Sequence, residues 1–298
     1  MQIFGVPIQA LAGQLVLGLV NGSFYAVLSL GLAVIFGMLN IVNFAHGALF
    51  MMGAYAAWLL LHVFGLGFWW SLLLAPVLIG ALGIVLERVL LKPLYGLDPI
   101  YGLLLTFGLS LVIEGMFRDQ FGVSGQSYSA PSLLSGATDL GFMILPNYRA
   151  WTVVLSLLVC LSTWFIIERT KLGAYLRAAT ENPVLVRAFG INVPLMITLT
   201  YGFGAAIAAY AGVLASPIVQ ISPLIGSNLI ITVFAVVVIG GMGSILGSVL
   251  TGFALGVIEG LTKVYYPPAS STVVFVLMAL VLWLYPAGIF GTDAVTDR

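Results

Sequence analysis

Long apolar runs, broken only by short clusters of glycine, proline, asparagine and charge, set the pattern of this chain. Runs such as 103–113 and 153–167 are apolar on nearly every side. A spanning β-barrel would instead alternate polar and apolar residues in short segments. The uniform runs, and the need to satisfy every backbone group internally in lipid, point to α-helices. A helix needs about 20 apolar residues to cross a bilayer, which places crossings near 8–37, 44–62, 68–89, 100–117, 149–167, 193–217, 228–262 and 272–290. The first and seventh are too long for simple spans. Asn21-Gly22 interrupts one, and Gly240-Gly241-Met242-Gly243-Ser244 interrupts the other. The predicted fold is an all-α polytopic membrane protein with about eight helices, eight to ten if the long segments split, interrupted near 21 and 240.

Composition agrees with the pattern. Charged residues are 7% of the 298, with ten Lys and Arg against ten Asp and Glu. Ordinary soluble domains carry about 25%. That excludes a soluble globular enzyme, a disordered chain and a nucleic-acid binder. No charged residue precedes Glu87, and none falls within 188–258. The start of the chain lacks the basic region of a cleaved signal peptide, so the first apolar segment is expected to stay. The single cysteine, Cys160, lies inside an apolar run and reads as a packing residue.

Positive charge sets the expected orientation. Arg88 and Lys92 lie in one connection, and Arg169, Lys171, Arg177 and Arg187 in another. The crossing count puts both on one side, expected to be the cytoplasm. The polar 118–149 loop is expected outside. All of 1–298 reads as one transmembrane domain.

Candidate chemistry is sparse. Glu87, Arg88, Glu168 and Arg169 fall at helix ends. Glu114 with Arg118, and Glu259 with Lys263, stand four apart and can neutralise each other on one helix face. No charged residue is expected in mid-membrane for a proton relay. None of Lys92, Lys171 and Lys263 follows a glycine, so there is no P-loop, and no zinc or nucleophile-elbow motif occurs. The chain is expected to carry no cofactor or metal of its own. Uphill transport would therefore draw on a partner. The most charged stretch, 168–192, offers a docking element, since Tyr175, Leu176 and Ala179, then Val184, Val186 and Ala188, form short amphipathic helices separated at Pro183. Clustered buried amides need a reason. Asn21, Ser23, Asn40, Asn43 and His46 are the candidate lining of a path or gate. Gly240, Gly241 and Gly243 read as a helix break and a close-packing site. A self-sufficient channel or facilitator for a small neutral solute remains an alternative. An intramembrane enzyme would have only His46 with Ser23 or Ser29 to work with.

The block Asn40-Ile41-Val42-Asn43-Phe44-Ala45-His46-Gly47, followed by Gly53-Ala54-Tyr55, resembles the signature of branched-chain amino-acid type ABC transporter permeases. Gly173, Arg177, Ala178, Asn182, Ala188 and Gly190-Ile191 resemble that family's coupling loop, in which Glu181 and Arg187 also fall. Val238 to Ser244 and Pro286 to Gly291 resemble two further blocks. The resemblance implies an import system for branched-chain amino acids or related amides, urea or carboxylates. It implies a second permease subunit, two cytoplasmic ATPases that hold the ATP, and a periplasmic or surface binding protein. One departure stands out: Ala48 follows the His-Gly pair where many members carry an acid.

Overall fold

The computed structural model describes residues 2–3, 6–39 and 41–291, with side chains from Val6 onward. Asn40 and residues 292–298 lie outside the described residues. Eleven α-helices account for most of the described chain: α1 Ile8–Leu39, α2 Ala45–Phe64, α3 Phe68–Leu86, α4 Pro99–Phe121, α5 Asn147–Arg169, α6 Lys171–Glu181, α7 Pro183–Ala188, α8 Val193–Ala215, α9 Ile225–Gly240, α10 Ile245–Tyr265 and α11 Val273–Leu284. Two small antiparallel pairs complete it, β1 Gln2–Ile3 with β2 Val6–Pro7 and β3 Ala137–Asp139 with β4 Ile144–Pro146. Seven helical segments are long and apolar enough to cross a membrane, and α9 and α11 are shorter apolar helices. This is the expected all-α polytopic architecture.

α1 and α8 form the centre. The most buried apolar side chains lie on them and on α2 and α9. α4 and α11 bury few residues and turn apolar side chains outward, including Leu104, Leu111, Met116 and Trp283. That inside-out distribution suits a surface bathed in lipid, where the solvent is as apolar as leucine.

One sequence expectation fails here. α1 is not interrupted at Asn21-Gly22 and runs unbroken for 32 residues. Gly22 serves contact rather than a break. A Cβ there would lie 2.9 Å from Phe253 Cα and 3.0 Å from Gly252 O, so its absence lets the α1 and α10 backbones touch. Gly18 repeats the arrangement one turn earlier, where a Cβ would lie 2.6 Å from Gly256 O. The helix is about 48 Å long at 1.5 Å per residue, longer than a ~30 Å hydrocarbon core.

The second expected interruption is present. The segment near 228–262 divides into α9 and α10 at residues 241–244. Gly241 and Gly243 take φ of 99° and 86°, a left-handed region that a residue with a Cβ enters at a cost. α9 therefore ends with free carbonyls. Residues of the 286–291 block supply donors: Ile289 N–H to Ile239 O at 2.8 Å and Phe290 N–H to Gly240 O at 3.2 Å. On the far side of the break, the Ser244 hydroxyl caps α10 by accepting from Gly247 N–H at 3.1 Å.

Candidate functional site

The block that opens α2 is built from a short break in the helices. α1 stops at Leu39 and α2 starts at Ala45. The intervening turn is held from two neighbours. On α4, Thr106 Oγ1 accepts from Phe44 N–H at 3.2 Å and lies 3.3 Å from Val42 O and 3.0 Å from Leu103 O, to one of which its single proton goes. On α8, Tyr201 Oη accepts from Asn43 Nδ2 at 3.1 Å. Both Asn43 and Tyr201 are buried. Asn43 Oδ1 has no partner among the described residues.

His46 sits one residue into α2, fully buried. Its Nε2 lies 3.0 Å from Leu28 O. A carbonyl only accepts, so Nε2 carries the proton and Nδ1 is left as a buried acceptor without a partner among the described residues. The ring occupies a slot opened by Gly31, where a Cβ would stand 2.9 Å from His46 Cε1. His46 thus pins the start of α2 to the middle of α1. Ser23, also buried, donates to Val20 O on its own helix at 2.7 Å.

Asn21 lies elsewhere. It borders a cavity of about 310 Å³ together with Tyr25, Gln220, Ser222 and Asn228. Behind that wall Tyr25 Oη donates to Glu259 Oε2 at 2.8 Å, and Glu259 pairs with Lys263 at 2.6 Å. The neighbouring 122–146 connection reaches over to this side, where Gln126 and Ile221 exchange backbone hydrogen bonds of 2.8 and 2.9 Å. A second cavity of about 170 Å³ lies beside the α1–α2 turn, bordered by Phe44, Ala48, Phe107, Ser110, Glu114 and Ser227. Where Ala48 offers no carboxylate, α4 supplies Glu114, paired with Arg118 at 2.8 Å. The structure therefore brings Asn43 and His46 together at the α1–α2–α8 junction and leaves Asn21 at a separate cavity.

The residue that sequence reasoning placed wrongly is Glu87. Its position at the end of α3 suggested an interfacial charge. Instead it is 1% exposed. Tyr95 Oη donates to its Oε1 at 2.7 Å, and Thr198 Oγ1 lies 2.7 Å from its Oε2 and 3.0 Å from Pro194 O, its single proton going to the nearer, carboxylate oxygen. Burial first, and then the hydrogen bond to Glu87, hold the Tyr95 phenol above the usual tyrosine range, so it stays a donor. Residues Glu87–Leu91 form a π-helical turn that extends α3. No local sequence signal marks this burial, because both donors come from outside α3.

Residues 168–192 fold as two short helices. Gly173 is buried against the carbonyl of Ile167, leaving no room for a side chain. Arg177 Nη1 reaches Ile167 O at 3.1 Å and Glu168 Oε2 at 3.2 Å. That ion pair is about half exposed and contributes at most about 1 kcal/mol. Ala178 and Glu181 face outward. Asn182 separates the helices and caps α7 by accepting from Leu185 N–H at 2.9 Å. Arg187 and Ala188 end α7, exposed, and Gly190 turns the chain at φ 80°. Asn192 then caps α8, accepting from Leu195 N–H at 3.1 Å. Ala179, Val186 and Val193 are the buried anchors, packed with Met38, Ile191 and Ile197. The remainder is presented. Val184 is 75% and Phe189 78% exposed, with Leu172, Tyr175 and Leu185 also outward.

Comparison with known proteins matches this arrangement to one family. The family described as "Branched-chain amino acid transport system / permease component" matches residues 14–282. The chain is 32% identical to the high-affinity branched-chain amino acid transport system permease protein BraD of Pseudomonas aeruginosa, over 95% of this chain and 96% of that one. It is 30% identical to the corresponding LivH of Escherichia coli, with the same coverage. It is 26% identical to the permease protein LivM of the same organism, over 87% of this chain and 66% of LivM. The matched span takes in the α1–α2 turn, Glu87, the α6–α7 segment and the Gly240 break alike, so the chain belongs to the family of branched-chain amino acid transport system permease components.

Proposed function

We propose that this chain is the membrane-embedded conduit of an ATP-driven importer for branched-chain amino acids or related small polar solutes, with the motor on other subunits. The observation that carries the reading is the α6–α7 surface. It is an outward-facing apolar patch, anchored through Ala179 and Val186, on a permease-family chain whose sequence has no phosphate-binding loop. Exposed Val184, Leu185 and Phe189 beside Tyr175 suit the groove of a soluble partner. In this reading that partner is a pair of cytoplasmic ATPases that bind the ATP, and this chain holds no cofactor. Residues 168–192 then face the cytoplasm, and 118–149 face outward toward a solute-binding protein. LivH and LivM of one organism are two distinct permease proteins, which favours a heterodimeric pair with a second permease here. The bacterial inner membrane is the setting.

The path runs past the α1–α2 turn. Asn43 and His46 fix that turn, Asn40 precedes it, and Ser23 and Asn21 lie earlier on α1, pointing to different sides of the helix. Gly240, Gly241 and Gly243 keep the α9–α10 break closely packed. ATP binding and hydrolysis rock the permease pair between outward and inward states.

The test is reconstitution with the neighbouring-gene ATPases, second permease and binding protein in vesicles. Uptake of radiolabelled L-leucine should require all of them and ATP. Gly173→Leu, which cannot fit against Ile167, should abolish uptake while leaving leucine binding by the binding protein unchanged. Concentrative uptake by this chain alone on an ion gradient would refute the assignment, and ATP-independent equilibrating flux would mark a facilitator instead.

A further inference from the structure

Glu87 is a buried carboxyl with no cation beside it among the described residues. A leucine would fill such a site without the cost of burying a polar group. Packing alone does not account for it. Its two oxygens join the α3–α4 connector to α8, beyond the stretch where α3 itself packs against α8 through Gly80 and Gly202. Tyr95 belongs to the connector that leads from α3 into α4, and Thr198 lies in the second turn of α8. α8 begins directly after residue 192, where the α6–α7 segment ends. Further along α8, Tyr201 holds Asn43. On α4, Thr106 holds Phe44 and faces Val42. The α1–α2 turn is therefore gripped by α4 and α8, and Glu87 ties the two grips together.

We propose that Glu87 is a positioning residue that makes α8 and the α3–α4 connector move as one body, delivering a displacement of α6–α7 to the Val42–Phe44 turn and the cavity beside it. The inference rests on the proposed function, since the displacement originates in a partner seated on α6–α7. Hydrogen-bond geometry, not charge, does the tying. Glu87→Gln keeps both contacts, because the amide oxygen accepts from one hydroxyl and its NH2 donates to the other. Glu87→Leu keeps the volume and loses both.

The test uses the complete transporter with Cys160→Ser and Ser110→Cys, so that the one thiol of this chain lines the cavity next to Phe44. Its rate of modification by a methanethiosulfonate ethylammonium reagent is compared without nucleotide and after trapping with Mg-ATP and vanadate. The expected change with Glu87 intact is at least about fivefold, the lower end of ordinary coupling between sites. Glu87→Gln should retain it. Glu87→Leu should bring the ratio near unity while ATP hydrolysis and the melting temperature stay near those of the parent. An unchanged ratio in Glu87→Leu, or a loss that tracks the melting temperature, overturns the inference. Should Glu87→Leu fail to assemble, Thr198→Val alone carries the test, and an unchanged ratio there overturns it equally. No response in the parent complex refutes the proposed function itself, which distinguishes the two failures.

Discussion

Gly31 and His46 share one volume. A Cβ on residue 31 would stand 2.9 Å from His46 Cε1 and 3.0 Å from Gly204 O. A methyl at that position has to displace either a buried ring already bonded to Leu28 O or a backbone carbonyl of α8. Gly31→Ala should therefore destabilise by about 1–3 kcal/mol, the usual cost of overpacking. Thermal unfolding in detergent measures it, as a lowered midpoint against the parent. Gly108→Ala, where nothing lies within 4 Å, is the control and should leave the midpoint in place. His46 was legible in the sequence as a titratable residue in an amide cluster. That it braces α1 was not, because the slot is opened by Gly31, a glycine on another helix. Glu87 teaches the same lesson in reverse: its residue type suggested water, and two distant hydroxyls made burial tolerable.

At the scale of elements, α7 depends on its cap. Six residues cannot hold a helix unaided, since nucleation is costly. Asn182 supplies an acceptor for Leu185 N–H, and Val186 supplies the one buried anchor within the helix. Asn182→Ala should cost about 0.5–2 kcal/mol. Hydrogen exchange should read this as faster amide exchange confined to 183–188, while Asn182→Asp keeps the protection. The two-helix form of this segment follows from Pro183 and from the spacing of Ala179 and Val186, which is why the sequence foretold it. α1 went otherwise. Asn21-Gly22 has the composition of a break, but glycine in a helix costs only about 1 kcal/mol relative to alanine. Close backbone contact with α10 offsets that.

For the whole molecule, the α1–α10 seam is the principal internal contact in a setting where apolar burial by itself gives helices little reason to associate. Gly18 and Gly22 of α1 meet Gly252 and Gly256 of α10 backbone to backbone. Gly22→Leu or Gly256→Leu should separate the pair and abolish recovery of monodisperse protein in size-exclusion chromatography. Gly115→Leu, on the open face of α4 with nothing within 4 Å, should be recovered normally. A normal profile for the seam variants would mean that α10 is held by its other neighbours.

The sequence by itself determined the solvent, the secondary structure class and the approximate extent of most crossings, because those depend on local hydrophobicity summed over about 20 residues. It also determined the α6–α7 pair and the break at Gly241, since proline, asparagine and paired glycines act on the backbone where they stand. Only the tertiary structure decided which glycines break a helix and which join two. It likewise decided where Asn21 parts from Asn43 and His46, and how Glu87 is satisfied. Each of those outcomes depends on atoms brought from another helix, and no local pattern of residues encodes which helix that is.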